Sequence, residues 1–360
     1  MEGKALIGMS GGVDSSVAAF LMRQAGYSCI GATMRLHESQ SEEQVRTKTC
    51  CSLDDVEDAR SVARRLGIPF YVFNFKEDFE EQVIRKFVRC YEQGSTPNPC
   101  IDCNRHLKFD RFLRRALELE CDWVVTGHYA RIRRDPDTGR YLLYKAADTA
   151  KDQTYFLACL NQDQLAHTQF PLGDLTKTEV RRIAEENGFL NARKRDSQDI
   201  CFVPEGDYMA FLEKYTGKTY PAGAFLDLAG NVVGTHRGAV AYTLGQRKGL
   251  GLAMGAPVYV CGKDMERNTV TVGPNEALFA KGLRANEWSW FPFPALTEPM
   301  AVTVKTRHTQ HEQPGTVYPE AEGFARVEFD TPQRAVTQGQ AVVLYQGELV
   351  VGGGTITEAL

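Results

Sequence analysis

No stretch of the chain approaches eighteen consecutive apolar residues, so the sequence excludes a membrane-spanning helix. The opening MEGKALIGMS has neither the basic start nor the apolar middle of a secretory leader. Framework spacing is missing from the ten cysteines, which fall at 29, 50, 51, 90, 100, 103, 121, 159, 201 and 261. A disulfide-stapled secreted scaffold is therefore not expected, and a reducing, cytoplasmic compartment is. Excess positive charge is missing as well: 42 basic against 46 acidic residues give a net charge of −4, so any nucleic-acid contact must rest on local clusters. Internal repeats and low-complexity segments are also lacking. What remains is a 360-residue chain long enough for two or three separate cores.

Up to about residue 205 the pattern alternates short β-branched runs with helical periodicity. Ala5-Leu6-Ile7 reads as a strand, Val13 to Gln24 as a helix stopped by Gly26, and Cys29 to Met34 as the next strand. Ser52-x-x-Asp55 opens a helix with Val56, Ala59, Ala63 and Leu66 on one face and Gly67 and Pro69 as stop signals. Phe70 to Phe75 and Trp123-Val124-Val125 read as strands, with helices over Glu77 to Gln93 and Arg105 to Leu119 between them. This alternation predicts an α/β unit with a parallel sheet. Beyond it, short Val- and Thr-rich runs among Gly and Pro predict antiparallel β structure with almost no helix, and the turn-rich stretch from Gly273 to Leu283 predicts a joint. The expected units are 1–204, a small central 205–275, and a C-terminal β-barrel over 276–360.

Between the first strand and first helix stands Ser10-Gly-Gly-Val-Asp-Ser-Ser16. Backbone N–H groups at a helix N-terminus, approached through glycines, make an anion site. The Walker lysine is absent, and Asp14 stands in that region. The plainer alternative is a capped Gly-Gly turn. A second feature is Thr96-Pro-Asn-Pro-Cys-Ile-Asp-Cys-Asn104, whose Cys-x-x-Cys suits half a zinc site, a redox dithiol or one reactive thiol with a bystander. No second Cys or His pair completes a zinc site.

The string SGGVDSS resembles the pyrophosphate loop of ATP pyrophosphatases, enzymes that cleave ATP between the α and β phosphates. Together with TPNPCIDCN (96–104), TGHYAR (126–131), KDQTYFL (151–157), DSQDICF (196–202) and TLGQRKGLG (243–251), the chain resembles the tRNA-specific 2-thiouridylases over essentially its whole length. The resemblance implies ATP and Mg²⁺ as cofactors, tRNA as partner, and a persulfide donor such as a cysteine desulfurase or sulfur-relay protein. It implies 2-thiolation of the wobble uridine through an adenylated base, with AMP and pyrophosphate released. ATP contacts are then expected at Gly8, Met9, Ser10, Gly11, Gly12, Val13, Asp14, Ser15, Met34 and Gly127, with Asp14 helping to hold Mg²⁺.

By the same resemblance Cys201 carries the persulfide and Cys103 is the nucleophile that resolves it, leaving a Cys103–Cys201 disulfide. Cys100 departs from a branch of the family that has Asp there, and Cys100, Cys103 and Cys201 together are also compatible with an iron–sulfur cluster. Cys29, Cys50, Cys51, Cys90, Cys121, Cys159 and Cys261 read as packing residues. The tRNA contacts implied are Asn98, Pro99, Cys100, His128, Lys151, Asp152, Gln153, Arg307, His308 and Gln340. Basic clusters at Arg105, Lys108, Arg111, Arg114 and Arg115, at Arg181, Arg182, Arg193, Lys194 and Arg195, and at Arg247 and Lys248 read either as phosphate contacts or as ordinary charged faces. Another pyrophosphate-loop tRNA thiolase or an amide-forming synthetase is the alternative, but the synthetase leaves the two distant cysteines idle.

Overall fold

The structure, a computed structural model, describes residues 3–37, 53–194, 200–203 and 206–360. Cys50, Cys51, Ser52, Arg195 and the Asp196 to Asp199 part of DSQDICF lie outside the described residues. The N-terminal unit opens with β1 (Lys4–Gly8), α1 (Val13–Gln24), β2 (Ser28–Arg35), α2 (Leu53–Leu66) and β3 (Phe70–Asn74). A long helical run follows as α3 (Lys76–Phe79), a π-helical stretch (Glu80–Ile84) and α4 (Arg85–Glu92). The second run comprises α5 (Pro99–Asp102), a π-helical stretch (Cys103–Arg111) and α6 (Phe112–Glu118). Then come β4 (Trp123–Val125), the hairpin β5 (Arg131–Arg134) and β6 (Tyr141–Tyr144), α7 (Thr154–Leu157), α8 (Gln162–Ala166), β7 (Thr168–Gln169) and α9 (Lys177–Glu186).

The sheet order is β3-β2-β1-β4-β7, and every pairing is parallel. Because β1 lies centrally with helices on both faces, Ala5, Leu6 and Ile7 are fully buried. Val13 to Gln24 and the strands fall where the hydrophobic pattern puts them, and both long helices extend over the expected spans. In α2 the buried positions are Asp55, Ala59, Val62 and Ala63, whereas Val56 is half-buried; Ser52, the other half of the expected opening motif, lies outside the described residues. Phe79, Phe87, Phe109 and Phe112 fill the core between the helical runs and the sheet. Each such fully buried side chain contributes roughly 1.5–3 kcal/mol relative to exposure.

The central unit departs from expectation at its start: α10 (Tyr208–Thr216) is a helix, capped by Asp207 accepting from Ala210 N at 3.1 Å and ended by Gly217 at φ +67°. Its nine residues are too few to show sustained periodicity among the neighbouring turns. It is followed by β8 (Gly223–Leu226), β9 (Val232–His236), β10 (Tyr259–Asp264) and β11 (Thr269–Gly273), ordered β10-β11-β8-β9. The expected joint is shorter than predicted. After a single 3₁₀ turn (Asn275–Leu278) the chain is already in β12 (Phe279–Trp290).

The last unit adds β13 (Met300–Lys305), β14 (Gln313–Pro319), β15 (Ala325–Arg334), β16 (Ala341–Gln346) and β17 (Leu349–Ala359). The order β12-β15-β14-β13-β16-β17 closes through a β12–β17 pairing, giving a six-stranded antiparallel barrel. Closure removes the sheet edges. Leu283, Val304, Val327, Val342 and Val351 fill its interior.

This barrel reaches back into the first unit. The β5–β6 hairpin joins it through Leu349 opposite Tyr144. Thr96 N donates to Gln338 O at 2.9 Å, and Gln340 Nε2 donates to Thr96 O at 2.8 Å and Pro97 O at 3.3 Å. The barrel thereby grips the segment that leads into α5. Replacing Gln340 with Ala removes two of these bonds. At about 0.5–1.5 kcal/mol per bond, the melting temperature is expected to fall by a few degrees, with faster amide exchange concentrated at residues 95–102. Uniform exchange across the chain would contradict this role.

Candidate nucleotide and cysteine site

The loop after β1 sits at the carboxyl end of the parallel sheet, where such sheets bind ligands. Met34 is the next-to-last residue of β2 and Gly127 follows β4, the two strands on either side of β1, so both flank the loop. Gly12 precedes α1 and offers no side-chain cap, which leaves the first-turn amides of α1 facing outward for an anion. Gly11 has φ +75°, and a Cβ there would stand 2.3 Å from Asp55 O. At Gly127 a Cβ would stand 2.7 Å from the Ser15 amide nitrogen. Glycine is therefore required at both places for backbone proximity. Gly8 packs against Phe112, while Met9 and Val13 are core side chains at 2 % and 3 % exposure, so their share in the site is backbone only.

The remaining loop atoms are tied down. Ser10 N donates to Ser15 Oγ at 3.2 Å, and Ser15 and Ser16 hydroxyls donate to Gly12 O at 3.1 and 3.0 Å. The Gly11 carbonyl accepts from Asn191 Nδ2 at 3.0 Å and from Lys194 Nζ at 3.4 Å, and Asn191 also donates to Ser16 Oγ at 2.9 Å. Lys194 further bonds Asp55 and Asp58, each at 2.6 Å. Neither Asn191 nor this use of Lys194 is apparent from sequence, because partners more than 170 residues apart leave no local signal. Lys194 belongs to the loop's support and not to a basic stripe. Asp14, expected at Mg²⁺, has its two oxygens 2.7 and 2.8 Å from Lys177 Nζ and accepts from Tyr129 OH at 2.8 Å.

Pro99 begins α5 where its missing N–H costs nothing. Cys100 and Cys103, three apart, share one helix face, Cys100 exposed and Cys103 half-buried at the point where the helix widens to π geometry. Asn104 Nδ2 donates to Phe156 O at 3.0 Å, and the Phe156 ring stacks against His308 of the barrel with centroids 4.5 Å apart. Cys201 is half-buried and packs against the same hydrophobic cluster as Cys103. Its neighbour Phe202 inserts between Phe79, Phe87 and Phe211 at 5.1 to 5.7 Å. Cys201 is thus placed beside this cluster through Phe202, and Cys103 through the α5 run. Among the described residues no three His, Cys, Asp or Glu side chains converge as metal ligands. Cys159 is buried, and burial pushes its thiol up to about 11; Cys29 is raised likewise, and both are inert packing residues as expected.

Several residues expected to face tRNA hold the protein together. Asp152 accepts from Ala146 N at 3.0 Å and Thr154 Oγ1 at 2.6 Å, and Gln153 Oε1 accepts from Tyr129 N at 2.9 Å. Arg307 donates to Ala335 O at 2.8 Å and Thr337 Oγ1 at 3.1 Å. Lys151 and Asn98 are half-buried, the latter at the N-terminal boundary of α5. The basic faces are matched with acids: Arg105 with Glu287, Arg111 with Asp78, Arg114 with Asp110, Arg115 with Glu118, Arg193 with Glu185. Arg181 donates to the Ala192 and Lys194 carbonyls. Arg247 and Lys248 are exposed.

Family models match three successive segments: a tRNA methyl transferase HUP domain over residues 3–205, a tRNA methyl transferase PRC-barrel domain over 209–274, and an aminomethyltransferase beta-barrel domain over 280–356. A tRNA-specific 2-thiouridylase MnmA of Clostridioides difficile (strain 630) is 48% identical over 360 residues, covering 100% of this chain and 99% of its own. The chain belongs to the tRNA-specific 2-thiouridylase family. Relatives of the same name from Symbiobacterium thermophilum and Acetivibrio thermocellus are 51% and 50% identical, over 99% and 98% of this chain and 93% and 99% of their own.

Within this family member the His128 ring is half-buried. Its ring lies 5.8 Å from both Phe109 and Phe170; Nε2 faces Lys108 Nζ at 3.5 Å, so Nδ1–H donates to Thr126 Oγ1 at 2.7 Å. Burial first, and the Lys108 charge second, hold its pKa well below 6.5. Burial likewise lowers His106, His236 and His308. Since unfolded histidine titrates near 6.5, the unfolded chain binds extra protons below that pH. Stability is therefore complete above about pH 6.5 and falls as pH drops toward the folded-state values. The expected outcome is a lower unfolding midpoint at pH 5.5 than at 7.5, with His128 showing no NMR titration near 6.5. A His128 ring that titrates at 6.5 would contradict the assignment.

Proposed function

We propose that this protein is a cytoplasmic sulfurtransferase that converts the wobble uridine of tRNA to 2-thiouridine at the expense of ATP. The observation that carries the reading is a nucleotide loop and a cysteine-bearing helix held in one fold, in a chain that matches its 2-thiouridylase relatives from end to end. Adenylation solves the main chemical problem, because a uridine C2 oxygen is a poor leaving group. The oxygen attacks the α-phosphorus of ATP, pyrophosphate departs, and AMP becomes the group that sulfur later displaces. The first-turn amides of α1 and the glycines at 11, 12 and 127 suit the phosphates. Mg²⁺, when bound with ATP, screens phosphate charge, and Asp14 is the carboxylate in that region.

Sulfur delivery falls to Cys103 and Cys201. A donor protein places a persulfide on Cys201, and the Cys103 thiolate attacks the Cys201 sulfur. A Cys103–Cys201 disulfide forms, hydrosulfide leaves, and it displaces AMP at C2. A thiol reductant then restores both cysteines. The disulfide joins positions ninety-eight apart in sequence and requires their Cα atoms to come within about 7 Å. Asn98 at the boundary of α5, with Pro99 and Cys100 in its first turn, precedes Cys103 and is suited with them to hold the base, and the exposed Arg247 and Lys248 to meet the RNA backbone. The units 1–204, 205–275 and 276–360 divide this work between nucleotide chemistry and RNA holding.

The test compares three variants by thiolated tRNA formed. Cys103→Ser and Cys201→Ser are expected to lower the yield roughly a hundredfold or more, while both still release AMP with tRNA. Cys100→Ser is expected to keep much of the wild-type yield. Complete inactivity of Cys100→Ser together with bound iron in the wild type would replace the persulfide route with a cluster.

A further inference from the structure

Of the five lysines and arginines between residues 105 and 115, four are matched with a carboxylate: Arg105 with Glu287, Arg111 with Asp78, Arg114 with Asp110 and Arg115 with Glu118. Lys108 is the exception. It is half-buried, and among the described residues its ammonium meets one polar side chain, at Nε2 of His128, 3.5 Å away. That ring is neutral, because burial first and the Lys108 charge second hold its pKa well below 6.5. Drawing a cation out of water without giving it an anion is unfavourable, so stability does not explain the position.

Its place in the fold is specific. Lys108 follows Cys103 by five residues within the π-helical stretch Cys103–Arg111. Hydrogen bonds from i to i+5 bring residues five apart onto one face, whereas an α-helix would turn them about 140° apart. Cys103 and Lys108 therefore share a face. The lysine side chain ends at His128, which follows Gly127, and the Gly127 backbone lies against the nucleotide loop, where an added Cβ would stand 2.7 Å from the Ser15 nitrogen. The ammonium thus stands between the nucleotide loop and the cysteine helix. A uracil whose O2 attacks the α-phosphorus and whose C2 then takes sulfur must occupy the same interval. Asp102, the carboxylate next to Cys103, is 4 % exposed and already bound to Lys86 Nζ at 2.7 Å.

We propose that Lys108 is a catalytic residue whose ammonium stabilises the uracil as an anion while its O2 attacks ATP. The inference rests on the adenylation reading above. A neutral O2-adenylated uracil has lost its N3 proton. That proton passes to water, the bond from O2 to the α-phosphorus forms, the bond from that phosphorus to its bridging oxygen breaks, and pyrophosphate leaves with the electron pair. When hydrosulfide later displaces AMP at C2, its own proton ends on N3 of the 2-thiouridine. Negative charge gathers on O2 and N3 just before the attack, and a fixed cation in a partly dehydrated site stabilises it more than water does.

The experiment follows single-turnover AMP formation from ATP by the full chain with unmodified tRNA from about pH 6.5 to about pH 9, with ATP and tRNA affinities measured separately. Lys108→Met is expected to form AMP roughly a hundredfold more slowly at neutral pH, as loss of one preorganised charge-stabilising group does, while both affinities stay near their wild-type values. The deficit is expected to shrink as pH rises, because hydroxide then makes the uracil anion unaided. A tRNA with 5-fluorouridine at the wobble position, whose N3–H is more acidic, is expected to recover much of the lost rate. Lys108→Arg keeps the charge and is expected to stay faster than the neutral variants. Lys108→Gln serves if the Met variant does not fold, and the same deficit and rescue are expected. An unchanged AMP rate in the neutral variants would overturn the inference. So would a deficit that ignores both pH and the fluorinated base, which marks a structural role, or a loss confined to tRNA affinity, which marks a phosphate contact. Absence of AMP from the wild type would overturn the adenylation reading itself.

Discussion

The carbonyl of Gly11 is the point on which the site depends. A left-handed glycine packed against the Asp55 backbone turns that carbonyl toward Asn191 and Lys194, and the two donors join α1, α2 and the segment after α9 around one oxygen. Any side chain at Gly11 would collide with Asp55, so loop shape and helix packing are a single constraint. The charge arrangement follows from it. Asp55 is buried at 7 % exposure and sustained there by Lys194, because an unpaired buried carboxylate would be costly.

Lys194 stands seven residues before Cys201, and its side chain is bonded to the Gly11 carbonyl of the nucleotide loop. From the other side, the barrel holds the second cysteine motif. Gln340 grips the carbonyls of Thr96 and Pro97, while His308 presses on Phe156, whose carbonyl holds Asn104. The segment that carries Cys100 and Cys103 is thus fixed by elements remote in sequence. A cavity of about 70 Å³ between Pro97, Ile101 and the barrel strands at Ala341 and Gly353 marks the seam.

What was legible in the sequence was what repeats locally. Strands with β-branched runs, α1 between its glycines, and the closed barrel's alternating strands all carry period or punctuation. The helix α10 was missed because nine residues among turns carry too little pattern, and β12 begins within the expected joint because Gly273 and Pro274 obscured it. At the site, glycines and cysteines were visible as types, but the partners of Asp14, Gly11 and Gln340 were not, since pairing across 163 to 244 residues is written only in the fold. The arginines of α6 read equally well as phosphate contacts or a charged face. Their ion pairs with Asp110 and Glu118 decide for the face.

The account's central claim is that ATP is spent to adenylate a uridine in tRNA before sulfur arrives. Its most direct measurement follows ATP labelled at the α and γ phosphates in the presence of unmodified tRNA, a persulfide donor and reductant. The account predicts AMP and pyrophosphate in step with 2-thiouridine, each dependent on the tRNA. Appearance of ADP and phosphate instead, or of 2-thiouridine without ATP, would contradict it.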